Sequence, residues 1–269
     1  MDLSIIIPCY NEAENISKLK EELLPVVVDL SSSNSVEVIF VDDGSTDDTD
    51  QVLNEALLEK NIPRVSMKLI QHQGNWGLGK AIRSGFEACC GEVVITSDSD
   101  GTYKYSSIQD LLSILVDDVD IVTASPYHPQ GDVVGVPAYR LILSQGSSLI
   151  YRILVDWHIH TYTCLFRAYR REVISDIEFV SNGFLSGTEM LVKAVLKGYR
   201  VVEFPAVLYS RSYGVSKANL GRTILAHLRF QFNVVLHHLH LISLVQINNR
   251  KSSNSWIHTK YSWMGGNQK

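Results

Sequence analysis

The chain has 269 residues, 45% of them hydrophobic, which is enough for one large core or for one domain with a small appendage. A formal net charge of −5 and an isoelectric point near 6.0 exclude the basic footprint of a nucleic-acid-binding surface. Cys9, Cys89, Cys90 and Cys164 form neither a CxxC pair nor a Cys/His metal spacing, so reduced thiols and a cytoplasmic location are expected. The opening residues Met1-Asp2-Leu3-Ser4 lack the basic start of a secretory signal. No apolar run reaches the ~18 residues of a spanning helix. Residues 223–247 come nearest, and His227, Arg229, Gln231, Asn233, His237, His238 and His240 interrupt them.

In chain order, residues 4–7 read as a strand closing at Pro8. Residues 14–28 read as a helix with Ile16, Leu19, Leu23, Val26 and Val27 at helical spacing. Residues 36–41, rich in β-branched side chains, predict a second strand, and 46–58 a helix with an acidic start. Strands at 65–70, 92–96 and 120–124 alternate with helices at 80–90 and 107–115. This alternation predicts an α/β fold with a mostly parallel sheet and helices on both faces. Pro126, Pro129, Gly131, Gly135 and Pro137 then mark an irregular loop. A helix at 138–155 and strands at 163–168 and 200–204 follow. Residues 221–246 predict an amphipathic helix with Leu225, Leu228, Phe232, Val235, Leu239 and Ile242 roughly on one face. That face either packs on the core or lies on a membrane surface. The tail from 248 to 269 is polar and is expected to be flexible. The expected organisation is a catalytic domain over 1–220, the amphipathic helix over 221–247 and the tail over 248–269.

Three polar clusters follow strands directly: Tyr10-Asn11-Glu12, Asp42-Asp43-Gly44-Ser45 and Asp98-Ser99-Asp100. Ligands of open parallel sheets bind beyond the carboxyl ends of the strands, so the three clusters converge on one rim. Asp98 and Asp100, one residue apart at a strand end, can reach one hard cation, which could bridge a diphosphate. An acidic turn is the competing explanation. Asp42 or Asp43 can accept from a base N–H or from ribose hydroxyls, while Ser45 or Thr46 caps the next helix. Gly74-Asn75-Trp76-Gly77-Leu78-Gly79-Lys80 lacks the full phosphate-loop pattern and reads as a turn entering a close-packed helix. Lys80 could face a phosphate there. Arg211 and Lys217 put two cations on a Gly-containing loop that could clamp a diphosphate or an acceptor phosphate.

Taken in order, these motifs resemble the inverting glycosyltransferase family 2, and within it the dolichol-phosphate mannosyltransferase-like, polyprenyl-phosphate branch. The resemblance runs from about residue 3 to 220. Besides the clusters above it rests on Gly77-Leu78-Gly79-Lys80-Ala81, Phe166-Arg167-Ala168-Tyr169-Arg170-Arg171 and Gly198 through Pro205. It implies a GT-A (Rossmann-like) fold and a divalent metal, magnesium or manganese. It implies that Pro8, Tyr10, Glu12, Val41 and Asp43 hold the nucleoside. Asp98, Ser99 and Asp100 would lie at the diphosphate, with Asp98 and Asp100 as metal ligands and Asp100 the direct one. Arg211 and Lys217 match the family's phosphate-contacting cations. Two departures concern the sugar. Pro126 stands where the mannosyltransferases carry an arginine, a role Arg140 could take over, and Gly101-Thr102-Tyr103-Lys104-Tyr105 replaces their His/Pro-rich segment.

The expected reaction moves a sugar from a UDP- or GDP-sugar to a polyprenyl or dolichyl phosphate at a membrane surface. A lipid phosphate is largely ionised near neutral pH and needs little help from a base. Catalysis is then positioning and leaving-group stabilisation by the metal, Arg211 and Lys217. A sugar or small-molecule hydroxyl is the alternative acceptor and would need a base, for which Glu189 is the candidate. A third reading is an inactive nucleotide-sugar-binding subunit, against which the intact Asp98 and Asp100 argue. Peripheral contact with the cytoplasmic face of a membrane, or a membrane partner protein, would bring the chain to a lipid acceptor.

Overall fold

The computed structural model describes residues 1–58, 61–211, 213 and 219–245. Among the described residues nine strands form: β1 (Leu3–Cys9), β2 (Val36–Asp42), β3 (Val65–Gln71), β4 (Val93–Thr96), β5 (Ile121–Ser125), β6 (Asp132–Val134), β7 (Arg167–Arg170), β8 (Val201–Pro205) and β9 (Val207–Tyr209). Seven make one sheet in the order β3-β2-β1-β4-β7-β5-β8. β7 is antiparallel to both neighbours and the other pairs are parallel, so the expected mixed, mostly parallel sheet is what forms. β6 and β9 pair separately, in parallel. The irregular loop expected after residue 126 thus contains a short strand.

The helices are α1 (Ala13–Ser31), α2 (Thr49–Leu53), α3 (Leu78–Ala88), α4 (Ser107–Ile114), α5 (Ala138–Leu154), α6 (Arg171–Asp176), α7 (Ser186–Leu196) and α8 (Leu220–His238). Both faces of the sheet are covered, which is why β1 reads as an unbroken apolar run. Ile5 and Ile7 face one layer with Ile16 and Leu19 of α1 and Ile108 of α4, while Ile6 faces the other with Ala81 of α3. Gly85 lets α3 approach β1 closely, since a Cβ there would stand 2.4 Å from Ile6 Cγ2. β1 continues through Pro8 because its pairing with β4 stops at Ile6 while its pairing with β2 runs to Cys9. One side of the strand therefore has no ladder for the missing proline N–H to interrupt.

Three elements differ from the sequence reading. The helix expected from residue 46 starts at Thr49, because Ser45 to Asp47 are engaged elsewhere: Thr46 N donates to Asn11 Oδ1 and Asp47 accepts from Thr49 N. It then widens into a π-helical turn over Asn54–Leu58. The strand expected over 163–168 forms only from Arg167. The preceding carbonyls go to side chains instead of a ladder: Tyr162 O accepts from Arg167 and Thr188, and Leu165 O from Thr96.

The third difference is the C-terminal helix. α8 ends at His238, and Leu239 through Val245 fold back, with His240 at a φ of 57°. Of the two placements expected for the apolar face, packing on the core is not the one that forms. Leu225, Leu228, Phe232, Leu239 and Ile242 are exposed, while His227, Phe230, Gln231 and Val234 are buried. The buried side is partly polar because it bonds to α5: His227 Nδ1 lies 3.2 Å from both Ser147 Oγ and Tyr151 Oη. The tail over 248–269 lies outside the described residues.

Burial pushes His227 down to about 4 from its ordinary 6.5. Its folded state therefore binds the proton less readily than the unfolded chain. Stability is fully present above pH 6.5 and is lost as pH falls from 6.5 through about 4. An acid titration of the urea midpoint is expected to show a loss of up to about 3 kcal/mol over that window. A His227→Asn variant should lose that slope. An unchanged slope in the variant would place the acid sensitivity elsewhere.

Candidate active site

The carboxyl ends of β1, β2, β3 and β4 meet on one rim, since all four strands run the same way. Side chains stitch the loops there together. Asn11 N donates to Ser45 Oγ at 2.8 Å, and Glu12 N donates to Thr49 Oγ1 at 2.8 Å. Asp42 Oδ1 accepts from Ser45 N at 3.0 Å. Asn11 takes a φ of 51° and Gly44 one of 71° to let these turns close. Gly44 also presses on the next loop, where a Cβ would stand 2.4 Å from the Gly74 backbone.

Asp43 is wholly engaged in this framework. Its Oδ1 lies 2.7 Å from His72 Nδ1 and accepts from Trp76 N at 3.0 Å, and its Oδ2 accepts from Gly77 N at 2.7 Å. His72 Nε2 lies 2.9 Å from Ser84 Oγ, and its ring stacks on Trp76 at 4.7 Å. Asp43 thus shapes the loop that enters α3. Lys80, on the first turn of α3, reaches Glu87 at 3.9 Å, which turns it down the helix instead of toward a phosphate at the N-terminus.

A cavity of about 530 Å³ opens among the loops after β1, β2 and β3, lined by Tyr10, Asp42, Ser45, Thr46, Gln71 and Asn75 among others. A second, of about 170 Å³, is lined by Asp98, Tyr103, Tyr127, Thr161, Thr163 and Thr188 among others. Arg211 gathers the acids of the rim: its Nε donates to Asp100 Oδ2 at 3.0 Å and its Nη2 to Glu12 Oε1 at 3.1 Å. Asp100 Oδ1 also accepts from Thr102 Oγ1 at 2.9 Å. Burial first, and then the neighbouring Asp100, push the Asp98 carboxyl up to about 8, which Arg211 only partly opposes.

The acids therefore hold more negative charge than Arg211 balances, and a hard cation suits that deficit. Among the described residues, no group of three His, Cys, Asp or Glu side chains forms a complete cage. Such a cation would take its remaining ligands from diphosphate oxygens and water, as magnesium does in phosphate-handling sites.

Of the expected nucleoside-holding residues, Tyr10 lines the larger cavity. Pro8 and Val41 are register partners buried in the sheet behind it, and the side chain of Glu12 faces Arg211. Ser99 is buried against the Cys9 thiol. Lys217 lies outside the described residues. Arg140, the residue expected to stand in for the arginine missing at Pro126, has its Nε donating to the Tyr139 hydroxyl at 3.3 Å. The sequence reading passed over Gln71-His72-Gln73-Gly74, although this cluster follows β3 just as the other acidic or polar clusters follow their strands.

Glu189 is 2% exposed. Its carboxylate accepts from Val180 N at 3.2 Å and Ser181 N at 2.9 Å, and pairs with Lys193 at 2.7 Å. Burial works against its ionised form, but the bonds from Lys193 and Ser181 outweigh it and hold its pKa below the ordinary 4.5. The segment it holds supports α3, for Gly79 N donates to Asn182 O at 2.7 Å and Arg83 to Ser181 O at 3.1 Å. Glu189→Gln is expected to cost about 1–3 kcal/mol of stability, read as a lower urea midpoint, because Lys193 loses its buried counter-charge. A variant as stable as the parent but without turnover would restore the base role.

A doubly covered, mostly parallel sheet with acids and an arginine at its carboxyl rim is the architecture of a ligand-binding α/β protein. The sequence profile of glycosyl transferase family 2 matches residues 4–178, and the chain belongs to that family. It is 33% identical over 221 residues to the polyprenol monophosphomannose synthase of Mycolicibacterium smegmatis, covering 79% of each chain. It is 32% identical over 237 residues to the dolichol-phosphate mannosyltransferase of Pyrococcus furiosus, covering 87% of this chain and 64% of that one. The fold is shared with glucosyl-3-phosphoglycerate synthase of Mycobacterium tuberculosis, solved with Mn2+, UDP and glucosyl-3-phosphoglycerate. That likeness has a TM-score of 0.64 at 17% identity and covers 90% of this chain and 81% of the other. The same protein has also been solved with Mg2+ and UDP. The chain is thus a glycosyltransferase with the GT-A fold.

Proposed function

We propose that this glycosyltransferase moves a hexose, with inversion, from a nucleotide diphosphate sugar to a polyprenyl phosphate. The observation that carries the reading is Arg211 bonded to Asp100, beside Asp98, which lines the smaller cavity. The larger cavity would take the nucleoside, with Tyr10 and Asp42 at its wall. Asp42 replaces Asp43 in that role, because both carboxylate oxygens of Asp43 serve the protein's own backbone and His72. The names of the two sequence relatives support the lipid-phosphate acceptor. The engagement of Glu189 supports it too, since an ionised phosphate attacks without a base.

Asp98 and Asp100 would hold a magnesium or manganese ion, which would neutralise the charge growing on the leaving nucleoside diphosphate. An acceptor phosphate oxygen forms the bond to the anomeric carbon as the bond to the donor diphosphate breaks, and the nucleoside diphosphate departs. Arg211, tethered by Glu12, would turn from Asp100 to the diphosphate as charge develops. We place the reaction at a membrane surface because the acceptor carries a lipid chain.

The test is release of nucleoside diphosphate from a panel of UDP- and GDP-sugars with manganese, with and without a short-chain polyprenyl phosphate. Release that requires both metal and lipid phosphate is expected, and it names the donor. Donor binding with no lipid-stimulated release would overturn the reading.

A further inference from the structure

The smaller cavity adjoins the acids of the rim through Asp98, and its lining differs from theirs. Hydroxyl side chains dominate it: Thr102, Tyr127, Ser144, Thr161, Thr163 and Thr188. Among the described residues that line it there is no Lys, Arg or His. A phosphate held there would meet no charge-assisted donor, and an ionised Asp98 would repel it. A neutral polyol suits the lining, because each hydroxyl can both donate and accept. With about 170 Å³, against about 530 Å³ for the larger one, it is the cavity for the smaller end of a nucleotide sugar. One wall is held from behind by residues that do not line the cavity themselves. Glu203 of β8 has a side chain only 6% exposed. Its Oε1 accepts from His160 N at 2.8 Å and from Thr161 N at 2.9 Å, and its Oε2 lies 2.6 Å from His160 Nδ1. These bonds offset the cost of burying the carboxylate and fix the Thr161 backbone. The Thr161 hydroxyl is fixed in turn, 2.7 Å from Ser125 Oγ and accepting from Tyr127 N at 3.4 Å.

We infer that the smaller cavity takes the hexose of the donor, that Thr161 reads its hydroxyls, and that Glu203 with His160 positions Thr161 for that reading. The inference deepens the proposed function and rests on its donor half alone. The nucleotide sugar then lies with its nucleoside in the larger cavity, its diphosphate at Asp98, Asp100 and Arg211, and its sugar beyond Asp98. Epimeric hexoses differ in the direction of a hydroxyl and not in the number of hydroxyls. Only partners held in fixed directions tell one from another, because the wrong epimer leaves them unpaired. The Glu203 clamp supplies that rigidity where regular structure does not, since residues 155–166 lie between α5 and β7 in no helix or strand.

The test is transfer to a short-chain polyprenyl phosphate, with manganese, from donors that share one nucleotide and carry mannose, glucose or galactose. Calorimetric binding of each donor and of the bare nucleoside diphosphate is measured beside it. The wild-type chain is expected to prefer one hexose by at least about tenfold in kcat/KM. Thr161→Val keeps the shape of the side chain and removes the hydroxyl. It should lose at least about tenfold on the preferred donor and little on the others, while the Kd of the bare nucleoside diphosphate stays within about twofold. Glu203→Ala should shrink the preference in the same way. Glu203→Gln, whose Oε1 keeps both backbone bonds, should restore most of it. Tyr127→Phe removes another hydroxyl of the lining without touching the clamp, and should also shrink the preference, which keeps the inference testable if the other variants misfold. Equal losses on all three donors would overturn the inference by showing that these residues serve the fold alone. A raised KM for the lipid phosphate with the sugar preference intact would overturn it by giving the cavity to the acceptor, and so would a wild-type chain indifferent to the hexose. If the wild-type chain makes no transfer to the lipid phosphate, the lipid-phosphate reading falls, and the preference among donors is then read from their binding.

Discussion

Replacing Asp100 by Asn is expected to lower kcat/KM roughly 10³-fold while leaving the fold as stable as before or slightly more so. The two effects have one cause. Glu12 and Asp100 both bond to Arg211, and burial first, with repulsion from the neighbouring Asp100 second, raises the Asp98 carboxyl to about 8. Asparagine relieves that repulsion, so folding loses nothing. It also removes the carboxylate that Arg211 holds and that the cation would use, so charge on the leaving diphosphate goes unbalanced. Nucleoside diphosphate release and a thermal melt, measured together, read both effects. A variant that loses activity only because it melts early would show that Asp100 serves the fold.

Arg167→Met is expected to give the largest loss of stability of any single change considered, about 3 kcal/mol or more. Arg167 is 0% exposed on β7. Its Nε donates to Thr123 Oγ1 at 3.0 Å, its Nη2 to Tyr162 O at 2.8 Å and its Nη1 to Gly187 O. Methionine fills similar space but withdraws all three donors at once, leaving Tyr162 O with Thr188 alone. Two of the acceptors lie in segments that line the smaller cavity, beside Thr161, Thr163 and Thr188. The loss should therefore reach activity as well as the urea midpoint. A midpoint shifted by less than about 1 kcal/mol would mean that water reaches these carbonyls.

The parallel half of the fold was legible because burial on both faces writes itself into the sequence. Ile5, Ile6 and Ile7 have no polar alternation to lose, and each strand ends at a polar cluster. β7 was misplaced because its approach, residues 161–166, spends its carbonyls on Thr96, Thr188 and Arg167, and no periodicity records side-chain partners brought from elsewhere in the chain. Whether the apolar face of α8 packs on the core or turns outward stayed open in the sequence for a related reason. Its apolar stripe marks what the helix shows outward, while its inner side is fixed by His227 bonding to Ser147 and Tyr151. At the site, Asp98, Asp100 and Arg211 were all expected, but not the Arg211 bridge from Asp100 to Glu12. Asp42 and Asp43 are adjacent and chemically identical in sequence. Only the backbone N–H groups of Trp76 and Gly77 show that Asp43 is occupied and Asp42 faces the cavity.

The central claim is that an ionised lipid phosphate, and not a hydroxyl, is the acceptor. The most direct measurement compares nucleoside diphosphate release with a short-chain polyprenyl phosphate and with the matching polyprenol, under the same metal and donor. Release with the phosphate alone is expected, because Glu189, the candidate base, is already held by Lys193 and the Val180 and Ser181 N–H groups. Release driven by the alcohol would contradict the account and return Glu189 to the chemistry.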